Sequence, residues 1–178
     1  MTARASSHTL QEPFLLKDKR GKAVLIRLYQ DRDTDYDRLR EMYREFEPKE
    51  VTQGLPPRVE ESREEWLKSL LEGGINLLAI VEGKIVGHAV LLEMESGRRC
   101  EFLVFVHQDY QNRGIGTALS ERVRDLAQRI GYCQIWLMVE AVNFKAIHVY
   151  RKVGFCLVGP REVECEMVIS LEGSDEGS

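Results

Sequence analysis

The strongest constraint in this 178-residue chain lies where an apolar run, residues 102–106, gives way to Gln111-Asn112-Arg113-Gly114-Ile115-Gly116. A buried strand is expected to end at Val106, and a helix to open at the glycines after a short polar loop. The first amide groups of such a helix have no intrahelical acceptor and sit at the positive end of its dipole. They are suited to an anion, and two glycines let the backbone approach a phosphate closely. Arg113 adds a cation. The spacing therefore predicts a diphosphate site. Glycines that merely let a helix pack on a strand would look the same. A dinucleotide fingerprint is excluded because its third glycine position is Leu119, and a Walker A loop because no lysine follows Gly116.

Around this junction, strand and helix signals alternate. Residues 14–17 and 23–29 flank a hairpin turn at 18–21. Tyr36, Leu39, Met42, Tyr43 and Phe46 recur at helical spacing, and residues 47–59 carry three prolines and a glycine and form a loop. A second helix contains Trp66, Leu67, Leu70 and Leu71 and ends at Gly73-Gly74. Strands follow at 75–81, 85–94 and 100–106, then a helix at 114–130, a strand at 133–139, a helix at 143–152, and strands near 155–158 and 163–169. The order β–β–α–α–β–β–β–α–β–α–β–β predicts an α/β (mixed α+β) fold, a mostly antiparallel mixed sheet of about six to seven strands with about four helices on its faces. One domain is expected over residues 13–170, with disordered tails at 1–12 and 171–178.

Charge and composition exclude other classes. Lys and Arg number 25 against 29 Asp and Glu, a net charge of −4 that gives no reason to expect nucleic acid. The longest apolar runs have five residues, against about 20 for a membrane span, and no secretory signal is evident. The protein is expected to be soluble and cytoplasmic. Cys100, Cys133, Cys156 and Cys165 form no C-x-x-C pair and are expected as small buried hydrophobes, so no metal is predicted. His88 and His148 are expected to pack, His107 to be a loop residue, and Trp66 and Trp136 to form core or groove walls.

The pattern Q-x-x-G-x-G after a strand, followed by Asn143, Ala146, Tyr150, Gly154 and Phe155 in the spacing N-x-x-A-x-x-x-Y-x-x-x-G-F, resembles the GNAT superfamily of acyl-CoA-dependent N-acyltransferases. The likeness covers roughly residues 14–169. The opening hairpin and the strand from Glu101 are most similar to the GNAT domains of bacterial protein lysine acetyltransferases, whereas the loop at 46–57 departs from them.

The resemblance implies a GNAT-like fold and acetyl transfer from acetyl-CoA to a primary amine by direct attack in a ternary complex. Val104, Phe105 and Val106 would pair with pantetheine through their backbone. The amides of Gln111, Asn112, Arg113, Gly114, Ile115, Gly116 and Thr117 would hold the diphosphate. Tyr150 matches the general acid and Glu101 a base, direct or through water. Asn143 matches a residue contacting CoA, though it could simply cap a helix. A protein lysine is the favoured acceptor. A small-molecule amine, or a non-enzymatic acyl-CoA sensor, is the alternative. Residues 31–65, with 12 acids and 7 bases, could form an acidic rim that attracts a cationic amine; a solvated, salt-bridged surface is the plainer account. A monomer or homodimer is expected.

Overall fold

The computed structural model describes residues 12–49, 55–95, 97–160 and 162–171. The segments expected as tails, 1–11 and 172–178, lie outside the described residues. Leu171, assigned to a tail, is instead buried, and its N–H donates to the Cys133 carbonyl (2.8 Å).

Strands β1 (Phe14–Lys17) and β2 (Ala23–Leu28) form the opening hairpin. Its turn is made by Asp18, whose Oδ1 accepts the N–H groups of Arg20 and Lys22, both at 2.9 Å. Helices α1 (Asp33–Glu45) and α2 (Glu60–Gly73) follow. Then come β3 (Gly74–Val81), β4 (Lys84–Glu93) and β5 (Arg99–Val106), and a 3₁₀ turn at Gln108–Tyr110. The chain closes with α3 (Ile115–Ile130), β6 (Gln134–Glu140), α4 (Phe144–Val153), β7 (Cys156–Val158) and β8 (Glu164–Ser170).

The eight strands among the described residues join one sheet in the order β1-β2-β3-β4-β5-β6-β8-β7, so the sheet is wider than the six to seven strands expected. The excess comes from very short strands, the three-residue β7 among them. Every pairing is antiparallel except β5 with β6. That parallel ladder is brief, matching Arg99–Glu101 with Gln134–Trp136. Beyond Glu101 the two strands part. A sheet that splits along its middle exposes the edge of β5 without breaking the fold, because β4 holds its other edge throughout.

Alternation along β5 divides the core in two. Phe102 packs with α3 and α4 through Leu119, Val123, Ile147 and Tyr150, with Val104 and Val106 on its margin. Leu103 and Phe105 belong to the opposite face with Leu39, Met42, Tyr43, Leu67 and Trp66. Phe105 meets Tyr43 and Trp66 edge-to-face, with centroids 5.6 and 5.5 Å apart, a favourable quadrupolar arrangement. Close approach of α3 to the sheet requires Gly87, where a Cβ would lie 2.9 Å from Leu119 Cδ1.

Candidate active site

The parting of β5 from β6 opens a cleft of about 960 Å³ that runs through the sheet. One wall is β5 from Glu101 to Val106, its edge unpaired with β6 beyond Glu101, and the other is Trp136, Met138 and Glu140 of β6. Helix α3 starts at one end and α4 runs along one side, so both sequence motifs face one space.

At the α3 end, Gly114 takes a left-handed conformation (φ 90°), and a Cβ there would meet nothing within 4 Å. The first intrahelical bond runs from Ala118 N–H to the Gly114 carbonyl (3.0 Å). Among the described residues, the amides of residues 112–117 have no acceptor. Helices α1 and α2 each carry two acids in their first turn, whereas α3 and α4 carry none. The two cleft helices therefore leave their positive ends unneutralised. Gln111, Asn112, Gly114, Gly116 and Thr117 line the cleft. Gln111 also donates through Nε2 to the Val106 carbonyl (3.1 Å), tying the loop to the strand end. Ile115 is different: its side chain is buried in the core, leaving only its amide for the site.

Arg113 departs from the expectation of a free cation. Its guanidinium stacks 4.5 Å from the Tyr110 ring centroid, donates to the Asp109 carbonyl and lies 3.8 Å from Asp18. The side chain is turned toward the hairpin and is absent from the cleft wall. Lys19, Lys145 and Lys152 line the cleft instead, none with an acidic partner among the described residues. Sequence reasoning passed over all three because isolated surface lysines carry no signal.

Tyr150 is 9% exposed, and its ring packs against Phe102 (6.2 Å) and Phe155 (5.8 Å). Its hydroxyl has no partner among the described residues, and the residue lines the cleft. Burial pushes the phenol up to about 12, so it keeps its proton at neutral pH. Glu101 alternates with Phe102 and so belongs to the opposite face of β5, where it lines the same cleft. Burial raises its pKa as well, which makes it a better proton acceptor than a solvated carboxylate. Two ionisable groups thus flank the cleft from opposite faces of one strand.

Asn143 caps α4, its Oδ1 accepting the Ala146 N–H (3.1 Å), and it also lines the cleft, so the cap and the cleft wall coincide. His148 corrects the packing expectation: it is exposed on α4 and lines the cleft. His88 does pack, fully buried, and His107 is a buried residue at the start of the 3₁₀ turn. Trp136 forms a cleft wall, and Trp66 packs at the edge of the aromatic cluster. Cys100 and Cys165 are buried, but Cys156 is exposed, contrary to expectation. Among the described residues no group of His, Cys, Asp and Glu could hold a metal ion, and no helix is long and apolar enough to cross a membrane.

Among the described residues, the acidic stretch 31–65 lines the cleft with no carboxylate; Phe46, Pro48 and Leu55 are the described residues of this region that reach it. Asp35 is buried against Arg27 (2.6 Å), and Glu60 and Glu64 flank Arg40. Charges on amphipathic helices found nearer partners than a substrate. Among the described residues the acids of the cleft are Glu101, Glu140 and Glu164, the last two directly opposite each other on β6 and β8. Residues 50–54 of the proposed selecting loop lie outside the described residues.

Residues 36–155 match the family model of the acetyltransferase (GNAT) family. The chain belongs to that family. Escherichia coli spermidine N(1)-acetyltransferase is 32% identical over 80 residues, 44% of this chain and 43% of that protein. The Escherichia coli [ribosomal protein bS18]-alanine N-acetyltransferase is 41% identical over 54 residues, 30% of this chain and 36% of that protein. The chain thus aligns with less than half the length of these curated relatives. The GNAT domain of S. lividans PAT shares the fold with a TM-score of 0.75 at 16% identity, over 94% of this chain and 99% of that one. So does yncA, a putative acetyltransferase from Salmonella typhimurium solved with its cofactor acetyl-CoA, with a TM-score of 0.67, 20% identity, and coverage of 85% and 96%.

Proposed function

We propose that this GNAT chain is an N-acetyltransferase that uses acetyl-CoA and acts on a cationic primary amine, as one domain over residues 13–170. The carrying observation is one cleft with an acceptor-free amide cradle at the α3 end and an unpartnered, protonated Tyr150 along its α4 wall. Acetyl-CoA supplies an activated acyl group. The residues fit it: the amides of 112–117 would take the diphosphate, and the free edge of β5 at Val104–Val106 would pair with pantetheine. An N–H on that edge would polarise the carbonyl.

Glu101 would take the proton of the incoming amine, directly or through water, from the face opposite Tyr150. Tyr150 would donate its O–H to the departing sulfur. A phenol near 12 is a weaker acid than a thiol, whose pKa is about 8.5, so its role is to stabilise developing charge by a hydrogen bond.

Protein lysine is the acceptor proposed first. Phe46, Pro48 and Leu55 give apolar cover for a methylene stem, and Glu101 and Glu164 favour its ammonium. The spread of carboxylates also favours a second reading, a linear polyamine, in keeping with the spermidine-acetylating relative. Free cysteines, one of them exposed, suit a reducing compartment, and we place the protein in the cytoplasm.

Acetyl-CoA at ten times its Kd should stabilise the chain by about 1.4 kcal/mol and raise Tm by about 3–5 °C. No shift in a thermal melt at saturating ligand removes the cofactor assignment. Thiol release should then appear with lysine peptides, spermidine or both, and tight binding with silence toward every amine would favour a sensor.

Glu101→Gln should lower turnover about a hundredfold, the lower end of what a general base contributes. The wild-type rate should rise with pH as Glu101 loses its proton, at a pH above the ordinary carboxylate range because burial favours the neutral form. A pH–rate profile whose acid limb persists unchanged in Glu101→Gln would assign that limb elsewhere.

A further inference from the structure

The sequence suggests the phosphate-side cation at Arg113, yet that guanidinium is spent on the N-terminal hairpin. It faces Asp18 at 3.8 Å while stacked on Tyr110, and the Arg113 carbonyl accepts the N–H of Lys19 at 3.0 Å. Asp18 is itself buried and shapes the turn through Oδ1. The β1–β2 turn is therefore locked to the cofactor loop through both backbone and side chain. One consequence is that Lys19 lines the cleft beside Gln111, Asn112 and Gly114, with no acidic partner among the described residues. Lys22, in the same turn, pairs with Glu82 at 2.5 Å. The hairpin thus neutralises one lysine on the protein and leaves the other on the cleft wall shared with the amide cradle.

We infer that Lys19 is a ligand of the cofactor's diphosphate, delivered by the N-terminal hairpin, and that Arg113 is a positioning residue that pins the hairpin to the loop. This rests on the acetyl-CoA reading above. The division of labour follows from chemistry. A planar guanidinium is suited to fixed stacking and carbonyl recognition, whereas an ammonium on a flexible stem suits a point contact with phosphate. The loop arginine serves the scaffold, and a lysine distant in sequence supplies the charge.

Calorimetric binding of acetyl-CoA and of 3′-dephospho-acetyl-CoA to the full chain tests it. Lys19→Met should weaken both ligands about tenfold, and Lys19→Arg should restore most of the affinity. The gap between wild type and Lys19→Met should shrink as salt is added, since a charge contact is screened and a packing defect is not. Arg113→Met should cause a similar loss, and the double variant should be little weaker than either single one, because the two residues act through one contact. Should Arg113→Met not fold, Asp18→Asn keeps the Oδ1 acceptor, removes the charge facing Arg113, and carries the same expectation.

Unchanged affinity in Lys19→Met overturns the assignment. A loss seen with acetyl-CoA but absent with the 3′-dephospho ligand also overturns it, by moving the contact to the other phosphate. A salt-independent loss reduces Lys19 to a structural residue. Wild-type protein that binds neither ligand sinks the acetyl-CoA reading itself, a result distinct from any of these.

Discussion

Tyr150→Phe should lower turnover about a hundredfold while leaving the affinity for acetyl-CoA and the melting temperature nearly unchanged. Proton donation in a transition state contributes about 10²–10⁴ in rate. A phenol near 12 that hydrogen-bonds to sulfur without fully transferring its proton belongs at the lower end. The packing role of the ring survives the substitution, because Phe102 and Phe155 contact its faces and edges. The hydroxyl has no partner among the described residues, so its removal orphans no buried group. A role confined to packing therefore predicts no kinetic effect. Single-turnover acetylation with saturating acetyl-CoA separates the cases: a rate within about twofold of wild type would take Tyr150 out of the chemistry.

What sequence made legible here is what backbone geometry demands of particular residues. Gly114 and Gly154 adopt φ of 90° and 113°, and Asn143 must accept an amide at the start of α4. Such requirements leave fixed-spacing marks, so the two motifs and the element order could be read directly. Side-chain partnerships across long stretches of chain left no such mark. The spacing around Arg113 is silent about Asp18 and Tyr110, which redirect it. The acids of α1 and α2 could be read as a substrate rim or as a salt-bridged surface, and only the placement of Arg27 and Arg40 against them decides for the latter. Glu140 and Glu164 do alternate with apolar neighbours in their strands. Their convergence, however, depends on the β6–β8 register, which lies beyond single-strand patterning.

The stability of the core between the sheet and helices α1 and α2 should fall steeply in mild acid because of His88. This residue is fully buried between the Tyr43 hydroxyl (2.7 Å) and Asn76 Oδ1 (2.8 Å). Asn76 Nδ2 donates to the carbonyls of Leu70 (3.0 Å) and Gly74 (2.8 Å), which leaves Oδ1 as the acceptor. The imidazole must then donate from Nε2 and accept the Tyr43 proton at Nδ1. A second ring proton would point at a hydroxyl already donating, within an apolar shell, and burial holds the pKa near about 3 against an ordinary 6.5. Below pH 6.5 the unfolded chain takes up a proton that the folded chain refuses. Stability is complete above that pH and falls by about 1.4 kcal/mol per unit below it, about 3 kcal/mol by pH 4.5. Urea unfolding of wild type and His88→Gln at pH 7.5 and 4.5 measures this. The variant starts less stable but should lose about 3 kcal/mol less on acidification, and equal losses would show that His88 titrates freely. The network joins α1, the end of α2, β3 and β4 behind Phe105, so acid should loosen the aromatic cluster under α1 and α2 before it affects the α3 amide cradle on the other side of the sheet.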